Sequence, residues 1–539
     1  MAMAVKLVFT ICVVAFGLAA QPLHAQIDAS RAAELNEEIK DEITITLDDA
    51  IQIAMINNYM LRRGLLDIDF ADAQIREAWG AVYPQISASG QYTRNIQTPN
   101  PFAGSDAGGL FQTIGAIEWL AFNEERRTDG NPNTEPIPFE EYLERQSQGY
   151  QDAGFSPPGF DDDNPFAIEN EFQFGVNITQ TLYNGSAFAA IKGARQLRQI
   201  NLDQVERDRQ VITNQITEAF YGALLVKEQL SVLDVSVERL RVTVEETRKA
   251  VQAGVASRVD RLSAEVELVN LETDLIELEN QVELATKSLN LILGIPVKTT
   301  INLRGALAFD ENMAEIIPDV EDSYLMAIQN RPDVNQIDNV VDLLEVQRNI
   351  TRSQYFPVVN AFANYAYIGQ VPDNRQMINR VPGTDFQFEG SERSFFDDAY
   401  WNPAFSVGIS MNWTIFNGFQ TRSRVQQNRI EKRQAEIDRE QLRNAIYLEI
   451  DQAVRNLENA YRRIMSQQRN IEQAQLNYDI AAQRLREGLG TTLEERQASS
   501  LLDQSKLNYL AAVYDFKVAM STYKTAVGES PSWEAQESR

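Results

Sequence analysis

"TLYNGS" occupies residues 181–186, and "TIFNGF" occupies residues 414–419. The near-repetition, 233 residues apart, is the key to the chain. Each copy follows a stretch in which apolar and polar residues alternate. Each precedes a long run without proline. Asn184-Gly185 and Asn417-Gly418 therefore read as corners where a strand turns into a helix, with Asn-Gly accepting the positive φ of a sharp turn. "NGS" also matches a glycosylation acceptor, but a corner explains both copies.

Other phrases repeat in the same order. "AIQIAMINN" (50–58) resembles "SYLMAIQNR" (323–331), and "AVYPQISASGQY" (81–92) resembles "QYFPVVNAFANY" (354–365). "AGVASRVDRLSAE" (253–265) resembles "EGLGTTLEERQAS" (487–499), and "LILGIP" (291–296) resembles "TAVGES" (525–530). A unit of more than 200 residues has been duplicated. The expected organisation is a first repeat at 47–297, a linker at 298–319, a second repeat at 320–529 and a tail at 530–539.

Within a unit, a helical pattern runs from Leu47 to Trp79 and Pro84 ends it, because the residue before proline leaves the helical region. Pro357 marks the same helix-to-strand corner in the second unit. Strands are expected at about 85–95, 171–182, 358–368 and 404–415. In the second, Phe172, Phe174, Val176 and Ile178 share one face, with Gln173, Gly175, Asn177 and Thr179 on the other. In the fourth, Phe405, Val407, Ile409, Met411, Trp413 and Ile415 oppose Ser406, Gly408, Ser410, Asn412 and Thr414. Such alternation fits half-buried strands of a sandwich or a membrane barrel. Three features favour the barrel. The strands approach bilayer-crossing length. A secreted chain with no membrane helix can still span a membrane, but only as a closed barrel. Aromatics collect at two levels, with Tyr92, Phe172 and Tyr367 at one and Tyr183, Trp413 and Phe416 at the other. Four strands do not close a barrel, so subunits must pool them, as dimers, trimers or larger rings.

The helices are long. Between Ser186 and Ala253 there is no proline. Leu230, Leu233, Val237, Leu240, Val244, Thr247 and Val251 form a heptad seam, and so do Leu268, Leu271, Leu275, Leu278, Val282, Ala285, Leu289 and Ile292. A second stripe, Val259, Leu262, Val266, Val269 and Ile276, lies on another face. Two stripes on one helix point to a neighbour on each side, as in a wall of helices. The stretches 96–170 and 371–402, rich in turn formers and acids, read as outward loops.

The N-terminus reads as a secretory signal over 1–25: Lys6, an apolar core at 7–20, and a cleavage point after Ala25. An extension at 26–46 follows. The single cysteine, Cys12, and the single histidine, His24, lie inside the signal. Ser-His, Cys-His and ordinary zinc chemistry are therefore not expected in the mature chain. No cofactor or metal is expected, and no enzymatic activity. The net charge of −28 argues against nucleic acid. It fits a solvated acidic surface or a cation-biased pore. Beyond the signal no apolar run reaches the length of a transmembrane helix.

With both proline corners, both Asn-Gly corners and both glycine hairpin tips located, the chain resembles the TolC family of outer-membrane efflux proteins over residues 47–529. The resemblance implies a mainly α fold with a membrane β-barrel. It implies a homotrimer whose chains each give four strands to a 12-stranded barrel, above a long periplasmic coiled-coil α-barrel. It implies a passive exit duct among outer-membrane lipid, with a periplasmic adaptor (a membrane fusion protein) and an inner-membrane transporter as partners. The family's hairpin tips correspond to Ala253, Gly254 and Val255 and to Glu487, Gly488 and Leu489, the candidate adaptor contacts. The family's constriction acids correspond to Asp260 and Glu494, three copies of which would ring a pore. Where well-studied members carry a gating tyrosine and arginine, this chain has Leu485 and Gly490, so that network does not transfer. Small-molecule efflux and protein secretion both fit such a duct. A non-porous periplasmic scaffold explains the heptads but not the strands. An exported enzyme using Asp161, Asp162 and Asp163 lacks convergent site chemistry.

Overall fold

The computed structural model describes residues 43–97, 108–131, 134–155, 168–254, 256–309, 317–373 and 375–529. The signal at 1–25, most of the extension, Asp161–Asp163, Val255 and the tail at 530–539 lie outside them. The chain forms two compact units. One holds the described residues up to Ile75, Lys192–Arg348 and those from Gln426 onward; the other holds Arg76–Ile191 and Asn349–Val425. Each unit draws on both halves of the sequence.

In the helical unit, strand β1 (Ile43–Ile45) leads into helix α1 (Leu47–Asn57) through a capping box of Thr46 and Asp49. The helix expected over 47–79 is two helices. It stops at Asn58 and restarts as α2 (Tyr59–Gly80). Asn58 does both jobs. Its amide still donates to the Ala54 carbonyl (2.8 Å), while its Oδ1 accepts from the amides of Met60 (2.8 Å) and Leu61 (3.3 Å).

The sheet unit contains β2 (Gln85–Arg94), α3 (Gly108–Thr128), α4 (Phe139–Asp152) and β3 (Asn170–Tyr183). The long helix α5 (Gly185–Gln252) follows, then α6 (Arg258–Leu293) and β4 (Ile301–Leu303), which pairs in parallel with β1. At about 1.5 Å per residue, α5 alone is about 100 Å long. The second half runs through α7 (Val320–Asn330), α8 (Pro332–Arg352), β5 (Val358–Val371), β6 (Gln376–Arg380), β7 (Phe388–Glu392) and β8 (Trp401–Asn412). It ends with α9 (Gln420–Arg486) and α10 (Thr492–Ala526).

The heptad seams face inward. Val237, Leu240 and Leu289 are buried, whereas Val259, Leu262, Val266, Val269 and Ile276 are all exposed in the single chain. The helical core gathers Ile212, Ile216, Phe220 and Leu224 of α5, Leu289 and Leu293 of α6, Ile464 of α9 and Phe516 of α10. Each such side chain contributes about 1.5–3 kcal/mol.

Two segments read as loops carry structure. Helices α3 and α4 stand within 96–170, and the β6–β7 hairpin stands within 371–402. They form one small module. Phe386 packs between Phe122 and Tyr142 (ring centroids 5.3 and 5.6 Å away), and Tyr150 stacks on Phe388 at 4.1 Å. Arg126 lies over Phe122 and pairs with Asp385. A local reading weighted by Pro, Gly and acid content misses this, because the stabilising contacts join segments more than 200 residues apart.

Candidate functional site

The four long strands form one antiparallel sheet in the order β2-β3-β5-β8. Residues paired across an antiparallel ladder share a face, and the register therefore sorts the side chains. Ile86 faces Ile178, Ala88 faces Val176, and Tyr92 faces Phe172. Val176 faces Tyr365 and Phe174 faces Tyr367; Tyr365, Ala363 and Ala361 face Phe405, Val407 and Ile409. One side of the sheet is thus apolar across all four strands. The other side carries Gln85, Ser87, Ser89, Gln173, Asn177, Thr179, Asn360, Asn364, Ser406 and Ser410. Phe362 is the large aromatic there, and a Cβ added at the facing Gly408 would sit 2.7 Å from its ring.

At one end of the apolar side Tyr92 stacks on Phe172 (4.8 Å) and Tyr367 on Trp401 (5.3 Å). Trp401 lies across Gly369, where a Cβ would fall 2.6 Å from the ring. The fourth strand is shifted from the expected 404–415: it starts at Trp401 and stops before Trp413. The Trp413 indole instead donates to the Tyr355 carbonyl at 3.0 Å, outside the ladder.

The two proline corners match. Helix α2 ends four residues before Pro84, and a short 3-10 turn (Ser353–Tyr355) ends α8 before Pro357, with Phe356 already extended. The two Asn-Gly corners do not match. At the first, Asn184 Oδ1 accepts from the amides of Ser186 (3.1 Å) and Ala187 (3.2 Å), and Gly185 begins the helix with ordinary backbone. Positive φ is not what glycine supplies there. A Cβ on Gly185 would sit 2.7 Å from the Ser353 Cβ, so close approach is the reason. At the second corner Gly418 has φ 65° and does supply the left-handed turn. Two different outcomes are expected. Gly185→Ala should lower stability by about 1–3 kcal/mol through overpacking. Gly418→Asn should lower it by no more than about 1 kcal/mol, since asparagine tolerates the left-handed region. Thermal melts of the two variants check the contrast.

Both hairpin tips turn on a left-handed glycine, Gly254 (φ 78°) after Ala253 and Gly488 (φ 73°) after Glu487. Leu489 is exposed, and its amide closes on the Arg484 carbonyl at 2.9 Å. Asp260 and Glu494 occupy corresponding positions, three residues after the N-cap of a helix. Ser257 and Thr491 are N-caps, and each acid accepts from the cap amide, at 3.2 Å for Asp260 and 3.3 Å for Glu494. Both acids sit on the exposed side of the first helical turn. The patterns Ser-x-x-Asp and Thr-x-x-Glu are visible in the sequence as capping boxes.

Near the tips the two helical hairpins are tied together. The Arg239 guanidinium pairs with Asp503, Ser236 Oγ donates to Asp503 at 2.7 Å, and Arg496 pairs with Glu267. Beside them lies Glu495, a buried acid that pattern reading passes over in favour of Glu494. Burial pushes its carboxyl up, Arg239 opposes this, and Glu246 adds to it. Among the described residues no group of His, Cys, Asp and Glu is arranged to hold a metal, and no helix is long and apolar enough to cross a membrane.

A family described as outer membrane efflux protein matches residues 160–295 and 324–529. The outer membrane efflux protein BepC of Brucella suis is 30% identical over 177 residues, which are 32% of this chain and 34% of that protein. The chain thus aligns with about a third of that curated relative's length. Among solved structures, CusC, studied for folding and transmembrane channel formation, superposes with a TM-score of 0.63 at 16% identity, covering 90% of this chain and 92% of CusC. VceC from Vibrio cholerae superposes with a TM-score of 0.62 at 14% identity, covering 89% and 96%. These likenesses show a shared fold.

Proposed function

This chain belongs to the outer membrane efflux protein family, whose match covers well over half of it, and from that premise we propose that it is a passive exit duct through an outer membrane. The observation that carries the reading is the sorted sheet: one face apolar on four strands, the other polar and nearly uncharged. A lipid-facing wall and a wet lumen require that division. The described sheet has β2 and β8 as its edges. Closure removes such edges, and three copies supplying four strands each make a 12-stranded barrel. The exposed stripe Val259, Leu262, Val266, Val269 and Ile276 fits a helix of the next copy in a periplasmic wall. The duct is not catalytic. Its driving force comes from an inner-membrane transporter reached through a periplasmic adaptor, for which the tips at Gly254 and Gly488 are the contact points.

Asp260 and Glu494, three copies of each, form the acidic constriction in this reading. The test is single-channel current of the purified protein in a planar bilayer under a salt gradient. Cation-selective steps are expected. In Asp260→Asn/Glu494→Gln the cation-to-anion permeability ratio should fall several-fold toward unity while the barrel still inserts. Well-folded protein that never conducts, with or without adaptor, would overturn the duct.

A further inference from the structure

The corner after β8 differs from its twin after β3 in a way that duplication does not require. Gly418 and Phe419 are both left-handed, with φ 65° and 63°. Among the described residues Phe419 is the single non-glycine residue there. A bulky side chain in this region is strained, and such strain persists where the surroundings enforce it. Burial of the ring does not compensate: Phe419 is 62% exposed, Phe416 70% and Ile415 82%. The corner is nonetheless held firmly. Asn417 Nδ2 donates to Thr421 Oγ1 at 2.6 Å, and the buried Thr421 hydroxyl donates to Gln354 Oε1 at 3.3 Å. Together with the Trp413–Tyr355 bond, these contacts set residues 352–356 beside 413–424. Tyr355, Phe356 and Trp413 add three more exposed aromatics.

The charge on this patch runs against the rest of the chain. Arg352, Arg422 and Arg424 are exposed and make no ion pair among the described residues. No Asp or Glu occurs between Glu345 and Asp373, or between Asp398 and Glu431, in a chain of net charge −28. A preorganised apolar wedge flanked by unpaired guanidinium groups matches a membrane interface, with rings at the acyl boundary and arginines on phosphates.

We propose that this corner is a binding site for anionic phospholipid headgroups in the leaflet that meets the strand-to-helix end of the barrel. The proposal rests on the outer-membrane reading above. The apolar row Phe405, Val407, Ile409 and Met411 of β8 runs along its strand toward the wedge, so the patch continues the face assigned to lipid. A second copy meeting this patch with its own equivalent would bring arginines and no carboxylate.

The test uses the full protein reconstituted in phosphatidylcholine vesicles with a minor fraction of spin-labelled phosphatidylglycerol. The association of label with protein is read by electron spin resonance. Phosphatidylglycerol should be preferred over labelled phosphatidylcholine several-fold. The preference should fall toward unity in Arg352→Gln/Arg422→Gln/Arg424→Gln. It should weaken in Phe419→Gly, whose backbone accepts the left-handed turn without the wedge. An unchanged preference in the triple variant, with insertion intact, overturns the proposal and leaves the duct standing. Equal displacement by inorganic phosphate marks a general anion site and overturns the lipid assignment. Loss of the oligomer with lipid preference intact assigns the arginines to a neighbouring copy and also overturns it. Failure of the wild-type protein to insert at all overturns the outer-membrane reading itself.

Discussion

Arg331→Met is expected to destabilise the helical unit by about 3–5 kcal/mol, the usual effect of stranding the partners of a buried charge. The Arg331 side chain is only 3% exposed. Its Nε and Nη2 grip Asp333 at 3.0 and 2.7 Å, and its Nη1 reaches Glu449 at 2.8 Å and the Ala526 carbonyl at 3.0 Å. Arg207 stands behind, with Nη1 on the Thr525 carbonyl at 3.1 Å and Nε 3.8 Å from Asp333. Two guanidinium groups therefore close the C-terminal end of α10, where free carbonyls and the helix dipole favour cations.

The same cluster predicts an acid response. Burial, the largest single influence, pushes the Asp333 carboxyl up. The hydrogen bonds and charge of Arg331, with the charge of Arg207, outweigh it and hold the carboxyl below its ordinary value. A carboxylate depressed in the folded state stabilises above the unfolded pKa and loses that contribution as pH falls through the folded one. Wild-type stability is therefore expected to drop below about pH 4, the ordinary range of an aspartate. In Arg331→Met the same carboxyl keeps its burial and loses its main partner, so protonation relieves it. The gap between the two proteins should be widest at pH 7 and narrow toward pH 3 in denaturant titrations. A gap independent of pH would show that the ion pair is not its source.

Gly528→Ala is expected to cost about 2–4 kcal/mol, combining about 1–2 kcal/mol for a left-handed alanine with the displacement of packed backbone. Gly528 has φ 74°, and a Cβ there would lie 2.9 Å from the Arg331 nitrogen and the Asn330 carbonyl carbon. Gly294 is its twin in the first half. It has φ 75°, and its Cβ would fall on the carbonyl of Asn57. Each glycine ends the last helix of its repeat against the helix break near the start of the same repeat, Asn57-Asn58 or Asn330-Arg331. Gly294→Ala should therefore behave like Gly528→Ala. Gly254→Ala is the control: its φ is 78° but nothing lies within 4 Å. It should show the backbone penalty alone, about 1–2 kcal/mol. Equal losses at all three positions in thermal melts would remove the packing part of the account.

Much of this protein was legible in local pattern. The heptad spacing of α6 separated its seam, half-buried except for the buried Leu289, from the exposed stripe at Val259, Leu262 and Val266, because a 3.5-residue period is a property of neighbouring residues. Alternation along β3 and β8 did the same for the sheet, because side chains two apart share a face. The break at Asn58 was not legible: its side-chain amide donates to the Ile292 carbonyl, 234 residues away. The α3–α4 module escaped for the same reason, since Phe386 and Phe388 arrive from the other half of the chain. The capping boxes at Ser257 and Thr491 were there to be read. They give Asp260 and Glu494 a local role beside the pore role proposed for them.

The sequence by itself determined the duplication, the four amphipathic strands, the long seamed helices and the proline, Asn-Gly and glycine corners that punctuate them. All of these depend on short-range periodicity and on residues that restrict or free the backbone. Only the tertiary structure decided what the repeated Asn-Gly does. The same two letters give a crowded helix start at one corner, because Ser353 reaches Gly185 from a distant part of the chain, and a left-handed, outward-facing turn at the other, where nothing lies within 4 Å of a Cβ on Gly418.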